Sequence, residues 1–179
     1  MVINLLIAMP NHLSILGIIH TVISVFALLA AFAALSQAGK INPKSGTGKL
    51  YILLTILTCI TAFPIMKTGH ATPAHYVGVT VLILLILGIY AMRLFGKAGA
   101  YLQLIFMSTT LFLSMIPAII ETLTRLPISH PLAADPNDPI IQKALSALLV
   151  LYVVGVCYQL IKLRSQKKAA SIAAGVSNT

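Results

Sequence analysis

Five histidines and three acids carry most of the polar chemistry open to this 179-residue chain: His12, His20, His70, His75 and His130, with Glu121, Asp135 and Asp138. An imidazole can ligate haem iron or a transition metal, or exchange a proton near neutrality. A carboxylate at membrane depth can carry a proton or orient a ligating histidine. No two histidines stand three or four residues apart, so no single helix presents a chelating pair. His12 and His20 are eight residues apart, about 80° off a common helical face. Any haem b or metal ion must therefore be gripped between segments. The most economical cofactor-binding pair is His20 with His70 or His75. The competing reading makes His20 a neutral imidazole bonded to a serine or threonine of a neighbouring helix. His12 and His130 are minor candidates and read as solvated interface residues.

Glu121 and Arg125 stand four residues apart, acid first, the favourable order for a helical ion pair. They either close the end of a helix or supply an acid for a proton relay. Both belong to the stretch Met115–Pro139, which holds all three acids and five of the nine prolines. Asp135 and Asp138 lie among those prolines, where Asp shapes turns and caps the next helix. No Ser-His-Asp spacing, HExxH motif or cysteine cluster supplies a catalytic set. The run QAGKINPKSGTGK at 37–49 resembles a phosphate loop only superficially, with Pro43 where glycine is needed and Leu50 where Ser or Thr is needed. Cys59 and Cys157 fall in apolar runs and read as small buried hydrophobes.

The elements that position these residues follow from composition. Hydrophobic residues make up 59% of the chain, charged residues only 8%, and the mean hydropathy is +0.99. A soluble domain carries about 25% charged residues. The solvent implied is the lipid bilayer, and the net charge of +9 reads as membrane topology, not nucleic-acid binding. Apolar runs predict transmembrane helices at about 13–35, 50–66, 76–92, 101–120 and 140–161, ahead of a basic, partly disordered tail at 163–179. The expectation is an all-α, polytopic bundle of five transmembrane helices forming one domain over 1–162. Residues 1–10 are too short to span and are expected in the interface or against the bundle. In the first helix Gly17, His20, Ser24, Ala27 and Ala31 form a small and polar stripe that should face protein. Thr55, Thr58 and Thr61 share a face of the second.

Five spans put the termini on opposite sides. Nine of the twelve basic residues fall on the side of the 37–49 loop, the Arg93–Lys97 turn and the tail, and Lys67, Arg125 and Lys143 on the other. The positive-inside rule then sets the amino terminus outside and the tail in the cytoplasm. Tyr51, Tyr76 and Tyr101, at helix starts, read as interfacial anchors. All acids and histidines consequently collect on the outer side, with His20 and Glu121 deepest.

From His20 to Tyr51 the chain resembles the uncharacterised DUF2306-type bacterial membrane proteins. Their pattern is a histidine near a helix start, a short basic loop, then Gly-Lys/Arg-x-Tyr opening the next helix. The matching residues are His20, Gly48, Lys49, Leu50 and Tyr51. The family loop usually carries a histidine just before that glycine, where this chain has Ser45, Gly46 and Thr47. The resemblance implies a small protein of the bacterial inner membrane and supplies no reaction. The functional expectation is a haem- or metal-binding electron-transfer or redox-accessory protein with a membrane redox partner. A cofactor-free assembly subunit and a small proton-coupled transporter relaying through Glu121 and His20 are the alternatives.

Overall fold

A computed structural model of the chain describes residues 14–65 and 72–176. Its helices are α1 (Ile15–Ala38), α2 (Gly46–Ala62), α3 (Pro73–Leu94), α4 (Gly99–Arg125) and α5 (Pro139–Val176), with a 3-10 turn at Gly96–Ala98 before α4. No strand occurs among the described residues. Four of the helices, α1, α3, α4 and α5, are long and apolar enough to cross a membrane; α2 is apolar but shorter, at 17 residues.

Local chemistry sets the boundaries. Ser14 caps α1 by accepting the Gly17 N–H at 3.1 Å, and Gly39, at φ 67°, closes it with its own N–H on Leu35 O. Ser45 does the same for α2, accepting from Gly48 N–H at 3.1 Å. The residues 46–49, expected as loop, are therefore the first turn of α2. Only glycine fits at 48, because a Cβ there would lie 1.8 Å from Asn42 O. Helix α4 does not stop near Pro117 but continues to Arg125, with the proline accommodated inside it. Helix α5 likewise runs on past the expected end at 161, through the basic stretch that was expected to begin a tail. Lys, Arg, Gln and Ala are strong helix formers, and neither Gly nor Pro interrupts 156–174. Lys167 Nζ also lies 4.3 Å from the centre of the Tyr101 ring, fixing that extension over the start of α4.

Helices α1 and α2 form one tight antiparallel pair and α3 and α4 another; α2 touches α3 and α1 touches α4, closing a four-helix bundle. The small stripe of α1 faces protein as expected: Gly17, Ala27, Ala30, Ala31 and Ala34 are buried, with His20 and Ser24 half-buried. Tyr51, Cys59, Val81, Leu85 and Met107 complete the core. Among the described helices α5 packs on α4 alone, with Gln159 also reaching the Gly39 carbonyl after α1, and it leaves most of its circumference exposed.

The glycine at 48 offers a sharp test. Gly48→Ala should cost at least the roughly 1–3 kcal/mol of an overpacked site, whereas Gly46→Ala, where a Cβ meets nothing within 4 Å, should leave stability unchanged. Denaturant unfolding in detergent micelles compares the two.

Candidate functional site: the histidine end of the bundle

His20 sits about 8 Å along α1 from its start at Ile15, by the 1.5 Å rise per residue. Its Nδ1 is 3.1 Å from Thr58 O and 3.1 Å from Thr61 Oγ1, both on α2. A carbonyl only accepts, so the hydrogen bonds assign the proton to Nδ1. The Thr61 hydroxyl directs its own hydrogen to Leu57 O at 2.9 Å or Thr58 O at 3.0 Å, so it too accepts from the imidazole. Nε2 is left with an open lone pair. The small residues of α1 allow this bond, since they bring the two helices close enough for a ring on one to reach the backbone of the other. His20 is thus bonded to a threonine of a neighbouring helix, as the competing reading of the sequence had it, but through one nitrogen only.

His75 is 8% exposed and commits both nitrogens. Its Nδ1 accepts from Thr72 N–H at 3.0 Å and faces the Thr72 hydroxyl at 2.8 Å. Nε2 donates to Phe63 O at 3.2 Å. The ring therefore ties the end of α2 to the first turn of α3, and ligation through His75 would require giving up one of these bonds. His130 is exposed in the loop after α4. His12 and His70 lie outside the described residues. Among the described residues no group of three His, Cys, Asp or Glu side chains is arranged to hold a metal ion.

Glu121 and Arg125 form the ion pair that their spacing suggests, both inside α4, with the Glu121 side chain 54% exposed and Arg125 21%. Glu121 also lies within Coulombic reach of His20, so the acid and the imidazole share one end of the bundle. The two aspartates serve the backbone: Asp135 accepts from Asn137 N–H at 2.7 Å, and Asp138 caps α5 by accepting from Ile140 N–H at 3.0 Å.

Two expectations are corrected. Tyr51 is not an interfacial anchor; it is fully buried, and its hydroxyl is 2.8 Å from Thr110 Oγ1 on α4. Thr110 donates to Met107 O, so Tyr51 is the donor to Thr110. The spacing of Tyr51, Thr55 and Cys59, four residues apart along one helical face, is the available signal that Tyr51 belongs to the buried face. Cys157, expected to be buried like Cys59, is exposed on the outer side of α5, because that helix has a single neighbour. Tyr76 is 67% exposed, as an anchor at the bundle's edge would be.

His75→Ala should strand Phe63 O and the Thr72 N–H, costing about 1–3 kcal/mol per buried unpaired group. Thermal unfolding in detergent measures the loss, and a larger loss for His75→Ala than for His130→Ala is expected. No family model, curated protein or solved structure matches this chain.

Proposed function

We propose that this chain is a five-span protein of a bacterial inner membrane that handles protons at its outer end, as a small proton-coupled transporter, with His20 as the proton-accepting group. The observation that carries the reading is the single-sided anchoring of His20. Its Nδ1–H is held by Thr58 O, which leaves Nε2 to act as a base. Imidazole is the side chain whose unperturbed titration falls between pH 5 and 8, and ionisable groups at membrane depth are functional candidates by default.

Helix α2 counts as the fifth span for a geometric reason. Its start packs on the loop from α1 through Gly48 and Asn42, and its end meets both His20 near the start of α1 and His75 at the start of α3. At about 26 Å for 17 residues it is slightly shorter than a hydrocarbon core of roughly 30 Å. The nine basic residues gathered at the opposite end from His20 support a cytoplasmic placement of that end. The bacterial setting rests on the DUF2306-type resemblance.

A second reading has its own support. A metal-ligating histidine usually donates its other N–H to a carbonyl or carboxylate, which is the arrangement of His20. Haem b or a transition metal on Nε2 would make the protein a redox accessory.

One preparation separates the two. Reconstituted in vesicles, the proton-handling protein is colourless and metal-free, and His20→Gln lowers acid-driven proton flux by at least about 100-fold, the low end for removal of an acid–base group. A near-stoichiometric Soret band, or bound metal, that vanishes in His20→Ala transfers the assignment to the cofactor reading. A colourless protein whose flux is untouched by His20→Gln rejects both. The orientation is checked separately, by a carboxyl-terminal fluorescent fusion, which should mature only if the basic end is cytoplasmic.

A further inference from the structure

Two buried threonines of α2 stand out among the helical hydroxyls of the described residues. Eight serine and threonine side chains donate to the carbonyl four residues back, as Thr21 does to Gly17 O at 2.8 Å. That bond satisfies a hydroxyl where no water is at hand. Thr55 and Thr58 do not make it. Their Oγ1 atoms are buried without a well-formed hydrogen bond to the protein, the Thr55 hydroxyl standing close to that of Tyr51, and Thr55 as a whole is only 3% exposed. A buried unpaired hydroxyl is costly, which favours a partner of another kind.

Their place in the fold identifies that partner. Tyr51, Thr55, Thr58 and Thr61 recur along α2 at spacings of four, three and three residues, a file covering about 15 Å of helix. Its upper end, Thr61, is bonded to His20. At the lower end Tyr51 donates to Thr110, and the hydroxyls of Thr55 and Ser114 stand beside it. Only the middle of the file is unbonded. Thr55 and Thr58 have hydroxyl protons to donate there, whereas Tyr51 and Ser114, whose own protons go to Thr110, can accept.

We propose that bound water bridges Thr58, Thr55 and Tyr51 and turns the file into a continuous hydrogen-bonded path from His20 into the bundle. Four hydroxyls, those of Thr55, Thr58, Tyr51 and Ser114, satisfy the two to four partners that a buried water needs. A proton entering from His20 passes along it once the Thr61 hydroxyl turns from its backbone carbonyl toward the water; each oxygen then accepts one proton and releases another, so no atom or electron is gained or lost. The use of the path by protons rests on the proton-handling reading above; the water site stands without it.

The test uses the full chain in nanodiscs, with Thr55→Val and Thr58→Val as isosteric variants lacking the hydroxyl and Thr55→Ser as the variant that keeps it. Radiolytic hydroxyl-radical labelling reports water beside Tyr51 despite its burial. The wild type and Thr55→Ser should label at Tyr51; both valine variants should lose that label severalfold, lower the unfolding midpoint and slow proton flux. An unlabelled wild-type Tyr51 together with valine variants of raised midpoint overturns the water site, since removing a hydroxyl that pairs with nothing stabilises a protein. Loss of the label with unchanged flux overturns the path. A hydrated Tyr51 in a wild type that moves no protons overturns the proton-handling reading and supports the water site.

Discussion

The close approach of α1 to α2 is the contact on which the rest depends. In lipid no hydrophobic force drives one apolar helix against another, so association falls to van der Waals packing and interhelical hydrogen bonds. Both need small side chains. Ala27, Ala30, Ala31 and Ala34 let the backbones meet over most of α1, and Gly48 admits the connecting loop at the far end. Only at that separation can His20 reach Thr58 O. Bulk on the α1 stripe would therefore act on the histidine before it acted on the core, by moving its acceptor away.

The antiparallel bundle sorts its charges without an ion pair between helices among the described residues. Because α1 to α4 alternate in direction, residues distant in sequence arrive at the same end: His20, His75 and Glu121 at one, Lys40, Lys49, Arg93 and Lys97 at the other. At the basic end the polar contacts are structural. Gln159 of α5 donates to Gly39 O at 2.9 Å, satisfying the carbonyl that the left-handed cap of α1 leaves free. At the histidine end one imidazole is wholly used by the backbone and the other is half used. That difference between His75 and His20, not burial, separates a fold-holding histidine from one available for chemistry.

Much of this was legible in the residues alone. Hydropathy marked every helix, and the helical period of small residues named the buried face of α1. The acid–base order of Glu121 and Arg125 foretold their pair. What escaped were features decided between helices. The period of Tyr51 on α2 says nothing of which helix its hydroxyl meets, and aromatic rings at helix starts suit an interface or a core equally. Boundaries moved wherever polar residues continued a helix, as at 46–49 and beyond 161, because a hydropathy pattern ends where apolar residues end and a helix does not. The tautomer of His20 was also beyond reach, since it is set by an acceptor 38 residues away.

Helix α4 explains how polar bonds can fix register where apolar surfaces cannot. Its consecutive residues Ser108, Thr109 and Thr110 are each turned by 100° from the last, so neighbouring hydroxyls address different helices. Ser108 donates to Gln159 and Thr109 accepts from the Tyr152 hydroxyl, both on α5, while Thr110 accepts from Tyr51 on α2. Sliding α5 along α4 by one turn would break both of its bonds at once while exchanging one apolar contact for another of similar worth. The register is therefore specified by a few hydroxyls and amides, each matched to a partner. Among the described residues, Thr55 and Thr58, one turn apart on α2, are the buried hydroxyls left without a well-formed bond to the chain, and they are the groups that the proposed water completes.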